Sequence, residues 1–247
     1  MSNWCLTQVV VSGLPEKLIK ITDAWEFINS GAFCDAMLAH EFPDREKREE
    51  YGYKASWYRE TTMALLYYAF GHIPAEAAEW GSIRCYPYEE ETPDGYIVCQ
   101  DKLVFDFYSA GDSEMDPLVS FLEVAAGVRL TGKPEDTLSL RYVAQEPGEG
   151  YFITNIPECV GKYCCENIAS DNGYTEEELI TLASRKFHKK YTSLEEVLNK
   201  VGVDGPYEYL PWEEELTRFA PEDRWRMEEE GKSFRNSVLA AEKETER

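Results

Sequence analysis

The chain has 247 residues, 43% of them hydrophobic, and its 47 acidic and 25 basic residues give a formal net charge of −22. That length and composition support a large folded core and exclude a disordered chain. The charge argues against direct, sequence-independent binding of nucleic-acid phosphate, which is driven by Lys and Arg, and favours a basic partner. Neither a membrane span nor a signal peptide is visible, and seven irregularly spaced cysteines indicate free thiols, so we expect a cytoplasmic protein.

The first third of the chain predicts a strand followed by helices. Residues 6–11 are rich in β-branched side chains and predict a strand. Pro15 suits the first turn of a helix, and apolar residues recur at helical spacing until a Ser-Gly pair. Residues 34–60 have a mixed pattern that predicts loop and short helix. Residues 61–69 and 74–80 predict two further helical segments.

The middle of the chain predicts a loop, two strands and a helix. Residues 86–95 combine acid, Pro and Gly and predict a surface loop. Residues 96–99 and 103–108 predict two strands with a tight connection at residues 100–101. Helical periodicity returns over residues 115–128.

Residues 138–155 predict a β-hairpin with a Glu-Pro-Gly-Glu-Gly tip. Two helices follow, because Thr175 and Ser193 each precede a Glu by three residues, which is the capping-box pattern. The last stretch carries aromatic residues at helical spacing, restarts at Pro221, and is expected to pack on the sheet.

The order of these elements predicts an α+β fold. A strand, a helix, a strand near residue 103, a helix near residue 120 and then paired strands near residues 138 and 151 give an order close to a split βαβ, or ferredoxin-like, antiparallel sheet with packed helices. We assign residues 1–160 to this domain, with an insertion near residues 34–95. Residues 161–247 are predicted to form a helical C-terminal extension.

Three short motifs coincide in the first 160 residues: Ser2-Asn3-Trp4-Cys5 before the first strand, the pair Trp80-Gly81, and the hairpin segment from Arg141 to Gly148. In these motifs the chain resembles the Api92-like family with a YubB ferredoxin-like domain, which occurs in phages, plasmids and conjugative elements. It departs from the family after Trp80-Gly81, where a second tryptophan is usual. The resemblance implies a ferredoxin-like fold and a mobile-element protein in the host cytoplasm, and it implies no catalytic residues.

The segment from residue 86 to residue 116 contains nine acidic residues and a single base, Lys102. One interpretation is a solvated loop and edge strand whose charges prevent aggregation. The other is a surface whose carboxylates and tyrosines occupy a groove evolved for nucleic-acid phosphate. The partner-binding residues of the second interpretation are Tyr86, Tyr88, Glu89, Glu90, Glu91, Asp94, Asp101, Asp106, Asp112, Glu114 and Asp116.

Three functional hypotheses follow. The leading one is a non-enzymatic inhibitor of a basic, nucleic-acid-binding host defence protein, of the anti-CRISPR or anti-restriction type, with no direct contact to nucleic acid or membrane. An alternative is an enzyme or small-ligand binder with a pocket at the aromatic end of the sheet, formed by Trp4, Trp80, Arg141, Tyr142 and Glu146. A third is a scaffold or homo-oligomeric protein.

Two groups of reactive residues have incomplete patterns. Zinc commonly takes four ligands from two short-spaced pairs. The densest cysteine cluster supplies only Cys159, Cys164 and Cys165, with Cys5 and His188 as possible further ligands. No nucleophile or carboxylate pair is fixed beside the three histidines, which are His40, His72 and His188. We therefore predict no catalytic residue, metal or cofactor, and leave open whether the three cysteines bind a metal.

Overall fold

The computed structural model describes residues 4–44, 62–73, 80–93, 95–110, 115–130, 137–146, 151–156, 175–186, 188–193, 196–197, 207–209 and 221–245. The fold is α+β, as predicted. The chain divides into two compact units, one formed by Met1–Leu140 with Trp212–Arg247 and the other by Arg141–Pro211. The domain boundary near residue 160 stays a prediction. Within the described ranges, no helix combines the length and hydropathy that crossing a bilayer requires.

The described strands and helices are, in chain order, β1 (Trp4–Gly13), α1 (Pro15–Ile28), α2 (Gly31–Glu41), α3 (Thr62–Phe70), β2 (Trp80–Thr92), β3 (Gly95–Ala110), α4 (Asp116–Ala126), β4 (Leu138–Glu146), β5 (Tyr151–Thr154), α5 (Glu176–Lys186), β6 (Tyr207–Tyr209) and α6 (Pro221–Thr245).

The sheet of the first unit has the order β2-β3-β1, with antiparallel pairing throughout. The first residues of β4 lie beside the end of β1. A side chain at Gly13 would place its Cβ 2.7 Å from the Thr137 carbonyl oxygen and 2.4 Å from Leu138 Cδ2. This close approach requires glycine at position 13.

Alternation along β3 separates a buried face from an outer face. Phe105 and Phe107 are fully buried, and the Trp25 ring of α1 meets the Phe105 ring edge-on at 5.6 Å. The same indole lies 6.4 Å from the ring of Phe121 in α4. Helices α1 and α4 therefore cover one face of β3, and the core lies between them and the sheet.

Two local predictions are wrong. Residues 86–95 are mostly strand rather than loop, since β2 continues to Thr92. Residues 96–108 belong to one continuous strand, β3, which pairs with β2 on both sides of the predicted connection; the connection itself coincides with a shift in the β2–β3 register. The prediction of loop and short helix over residues 34–60 is met as far as residue 44, since α2 ends at Glu41, and residues 45–60 lie outside the described residues. Helix α2 begins at Gly31, because the Ser30 hydroxyl accepts a hydrogen bond from the Phe33 N–H at 3.2 Å and caps it.

Helix α6 packs against α3 and α2. The Phe234 ring lies 5.1 Å from the Tyr67 ring, 5.5 Å from the Phe33 ring and 5.9 Å from the His40 ring. This aromatic cluster holds α6 against α2 and α3. The aromatic residues that were expected to pack on the sheet, at positions 212 and 219, lie outside the described residues, so that expectation stays a prediction.

Helices α3 and α6 cross at two glycines. A Cβ at Gly231 would lie 2.3 Å from the Ala69 carbonyl oxygen, and a Cβ at Gly71 would lie 2.8 Å from the Glu230 carbonyl oxygen. Gly71 also has a φ of +74°, a backbone conformation that residues other than glycine rarely adopt. The crossing is close because neither residue has a side chain.

Four charged residues, called the seam network below, join α4 to α6: Glu123, Arg129, Arg224 and Glu228. The Glu123 carboxylate is 2% exposed and accepts hydrogen bonds from Arg224, from Arg129 at 3.4 Å and from the Leu130 N–H at 2.7 Å. Glu228 accepts from Arg224 at 3.1 Å and from Arg129 at 2.6 Å. Each carboxylate thus has two guanidinium partners, which offsets the cost of burial.

The second unit contains the predicted hairpin, in which β4 and β5 pair antiparallel from Val143↔Thr154 to Glu146↔Tyr151. Strand β6 pairs parallel with β5. The capping box at the start of α5 is confirmed, because the Thr175 N–H donates to Glu178 at 2.8 Å and the Glu178 N–H donates to the Thr175 hydroxyl at 3.4 Å. The hairpin tip at residues 147–150 lies outside the described residues.

Candidate functional site

The predicted acidic segment forms a two-stranded ribbon, residues 88–101, called the arm below. Pairing between β1 and β3 runs from Trp4↔Ala110 to Ser12↔Lys102. Beyond Lys102, the described pairing of β3 is with β2 alone, from Tyr88↔Cys99 to Thr92↔Gly95. The β2–β3 register shifts between Pro87 and Tyr88, where the arm begins. The arm therefore extends past the end of β1.

The two strands of the arm differ in chemistry. Glu89, Glu90 and Glu91 follow one another on β2, and their cross-strand neighbours on β3 are the apolar residues Val98, Ile97 and Tyr96. Successive side chains of a strand point to opposite faces. Each face of the arm therefore carries carboxylates beside apolar side chains.

None of the described arm residues is buried, and its apolar side chains are unusually open to solvent. Tyr96 is 70% exposed, Ile97 is 59% exposed and Val98 is 54% exposed. Exposed single apolar residues are common, whereas three in succession on one strand are unusual.

The carboxylates of the arm make no ion pair with another described residue. The Cys99 thiol donates a hydrogen bond to Glu90 at 3.6 Å, and the Lys102 ammonium lies 4.8 Å from the centre of the Tyr88 ring. Desolvation, followed by the contact with Glu90, raises the pKa of the Cys99 thiol, so the thiol stays protonated. The negative charge of the arm is therefore left for solvent or a partner.

Two predicted partner-binding residues, Tyr86 and Asp106, lie below the arm on the outer face of the sheet and bind each other. The Tyr86 hydroxyl donates to Asp106 Oδ2 at 2.5 Å. Burial, together with that hydrogen bond and the charge of Asp106, raises the pKa of Tyr86 to about 12. Asp106 Oδ1 is buried and has no hydrogen-bond partner among the described residues.

The other predicted partner-binding residues are only partly grouped by the fold. Asp101 is exposed at the base of the arm. Asp116 is the first residue of α4, and its side chain lies outside the described residues, as do Asp94, Asp112 and Glu114. The structure thus places Tyr88, Glu89, Glu90, Glu91 and Asp101 together on the arm.

Sequence reasoning missed the apolar half of the arm. Tyr96 was counted among the tyrosines of the acidic surface, whereas Ile97 and Val98 were predicted to form a strand and were not included in the site. The signal was an Asp-Gly pair between the two strands, which is a strong short-range mark of a hairpin. At that turn the Thr92 hydroxyl donates to the Gly95 carbonyl at 2.7 Å, and Gly95 has a φ of +124°.

The structure describes only part of the alternative ligand pocket. Trp4 pairs with Ala110 and Trp80 pairs with Ser109, so the two tryptophan backbones flank the same end of β3. Their side chains lie outside the described residues.

The other three predicted pocket residues belong to the second unit. Tyr142 is fully buried there, its N–H donates to Asn155 at 2.9 Å, and its carbonyl accepts from the Thr154 hydroxyl at 2.5 Å. Arg141 is exposed, and the side chain of Glu146 is not among those described. The burial of Tyr142 leaves its ring closed to solvent.

A groove of about 470 Å³ follows α6 and is lined by His40, Gly71, His72, Glu230, Ser233, Phe234 and Ser237. The buried Tyr67 hydroxyl donates its single proton to Glu41, so His40 Nδ1, 3.1 Å away, must donate to that hydroxyl. His72 Nδ1 lies 3.2 Å from Glu230. These contacts join α2 and α3 to each other and α3 to α6.

No group of three or more potential metal ligands occurs within the part of the chain that the structure describes. Cys159, Cys164 and Cys165 fall outside that part. His188, a further candidate ligand, is exposed on the turn after α5. Metal binding by the three cysteines therefore stays open.

Comparison of the chain with protein-family models, with curated proteins and with solved structures found no match.

Proposed function

We propose that this protein is a non-enzymatic acidic interaction protein of a phage or other mobile element, and that it inhibits a host nucleic-acid-binding defence protein by occupying its basic surface. The arm carries this proposal. Three consecutive carboxylates without described cationic partners lie beside three exposed apolar residues. This combination suits a partner that is both basic and apolar.

The overall charge supports fast association with such a partner. A net charge of −22 steers the chain toward positive surfaces and raises the association rate at low salt. A surface that binds nucleic acid is rich in Lys and Arg and is therefore the complementary target. The proposed site of action is the host cytoplasm.

We further propose a ferredoxin-like fold and membership of the Api92-like family. The element order β1, α1, β2, β3, α4, β4 supports the fold, as does the close approach of Gly13 to the start of β4. In that arrangement the arm is a lengthened β2–β3 hairpin, carried at one end of a rigid sheet.

The test is competition with labelled DNA for a purified CRISPR effector or restriction enzyme. We expect the wild-type chain to displace the DNA and to inhibit its cleavage. Both effects should weaken as the salt concentration increases, because salt screens the attraction between the charges. Reversing Glu89, Glu90 and Glu91 to Lys should weaken inhibition by about a hundredfold, because attraction becomes repulsion.

The matched control reverses Glu26, Asp35 and Glu244 to Lys. All three are exposed on helices away from the arm, and the change in net charge is the same. Inhibition by this control should stay within about threefold of wild type, since long-range steering alone is altered. Equal inhibition by the arm variant and the control would reject the arm as the binding element.

A further inference from the structure

The two edges of the arm are protected to different degrees. The β2 edge carries three consecutive glutamates, with Pro87 and Pro93 at its two ends. Charges and prolines are the features with which proteins prevent another strand from pairing at an edge. The β3 edge has neither at residues 96–99, where Tyr, Ile, Val and Cys all favour strand structure.

The main chain of that β3 edge is open in the described structure. Pairing with β1 stops at Ser12↔Lys102, so residues 96–99 have β2 on one side and no described strand on the other. A ribbon of only two strands is marginally stable in water, and a third strand would complete it. Strand addition supplies main-chain hydrogen bonds without requiring a deep pocket.

We infer that the β3 edge at residues 96–99 accepts an extended Lys- or Arg-bearing segment of the basic partner as an added strand. This inference rests on the proposed function, because it specifies how the basic partner binds. The arm carboxylates lie one strand inward from this edge, and the added strand would lie one spacing outward, so the two are roughly 10 Å apart. Lys and Arg can span that distance by laying their apolar stems over the exposed apolar residue of the face they share, which is Ile97 on one face and Val98 on the other.

The same geometry disfavours a second copy of this chain at the edge. Two arms paired through β3 would bring their glutamate rows toward each other, between molecules that each carry a net charge of −22. An alternating segment of cationic and β-branched residues instead presents its cations to the carboxylates of one face and its apolar groups to the exposed apolar side chains of the other face. We therefore assign the β3 edge to a cationic strand of the partner.

The first test uses the full chain and a synthetic nonapeptide of alternating Lys and Val. At saturation, alternate amides of residues 95–101 should exchange more slowly by NMR, because the outward N–H groups gain partners and the inward ones already pair with β2. A peptide of alternating Lys and Pro has the same charge but cannot form a paired strand. It should bind about tenfold more weakly and leave these amides unchanged.

The second test blocks the edge without altering charge. Successive N–H groups point to opposite sides of a strand, so one of Ile97→Pro and Val98→Pro removes an outward donor and the other disrupts pairing with β2. The variant whose β2–β3 amides stay protected should bind the Lys/Val peptide about tenfold more weakly. Ile97→Thr and Val98→Thr keep their N–H groups and should bind within about threefold of wild type.

Failure of this inference is distinguishable from failure of the proposed function. Equal binding of both peptides, with unchanged amides and with loss of binding when the arm glutamates are reversed, would reject strand addition and leave the acidic inhibitor in place. Protection of residues 95–101 without peptide, together with a dimer in sedimentation equilibrium, would assign the edge to a second copy and overturn the inference.

Discussion

The glutamates of the arm and those of the seam network occupy opposite environments. Glu123 is buried and Glu228 half-buried, and each accepts hydrogen bonds from two guanidinium groups. Glu89, Glu90 and Glu91 are exposed and form no ion pair with a described residue. The seam glutamates hold α6 in place, whereas the arm glutamates contribute little to the fold. Charge that does not stabilise the fold is available to a partner.

The largest difference should appear when each kind of carboxylate is neutralised. Glu123→Gln removes the charge that Arg129 and Arg224 share, and should lower the free energy of unfolding by about 3 kcal/mol. Glu89→Gln should change it by less than about 0.5 kcal/mol, since this side chain is exposed. Urea unfolding measures both. Equal effects would show that the two environments do not differ energetically.

The glycine crossing tests whether close packing also contributes to the seam. Gly231→Ala forces the new Cβ against the Ala69 carbonyl, so α3 and α6 must move apart. This change should lower the free energy of unfolding by about 2 kcal/mol. The control is Gly31→Ala, where nothing lies within 4 Å of the added Cβ, and this change should stay within about 0.5 kcal/mol. Thermal unfolding followed by circular dichroism distinguishes them. Tolerance of Gly231→Ala would mean that α6 is loosely docked.

The stability that the seam network contributes should also depend on pH. Burial by itself would raise the pKa of Glu228, but hydrogen bonds and attraction from Arg129 and Arg224 outweigh burial and hold the pKa below its ordinary value. The stability from this pairing is therefore complete above the unfolded value of about 4.3 and is lost as pH falls through the folded pKa.

Urea unfolding between pH 7 and pH 3 measures this loss. Glu228→Gln should lose less stability than wild type on acidification below about pH 4.3, because the variant lacks the carboxylate that takes up a proton in this range. Glu244→Gln, an exposed change near the end of the same helix, should follow the wild-type profile. Identical profiles for wild type and Glu228→Gln would remove Glu228 from the acid response.

The smallest effect on stability is expected for the arm itself. Changing Glu89, Glu90 and Glu91 together to Gln should leave the melting temperature nearly unchanged, or raise it slightly at low salt by relieving repulsion. The gain should vanish at high salt. Scanning calorimetry at two salt concentrations measures it. A large loss of stability would show that the arm carboxylates serve the fold after all.

Much of the helical structure was predictable because its signals are local. Pro15 begins α1, the repeat of apolar residues identifies α4, and the capping box at Thr175 begins α5. Each signal lies within one or two turns of the helix it marks. The count of acidic residues in the segment from 86 to 116 likewise needed no structure.

The arm was only half predictable. The sequence shows acid, Pro and Gly at residues 86–95, a composition common to surface loops and to protected edge strands. Pairing with β3 decides between them, and strand pairing is a tertiary property. The exposure of Tyr96, Ile97 and Val98 is equally non-local, because it follows from the end of β1 at Gly13.

The sequence by itself determined the α+β class, helices α1, α4 and α5, the β4–β5 hairpin and the net charge. Each of these depends on composition or on residues that are neighbours along the chain. The tertiary structure alone decided that Glu123 meets Arg224, which is 101 residues away, and that Tyr86 binds Asp106. It also decided which carboxylates stay unpaired. Local pattern cannot distinguish a glutamate that finds a buried guanidinium from one that remains exposed, because the difference arises only when distant segments pack together.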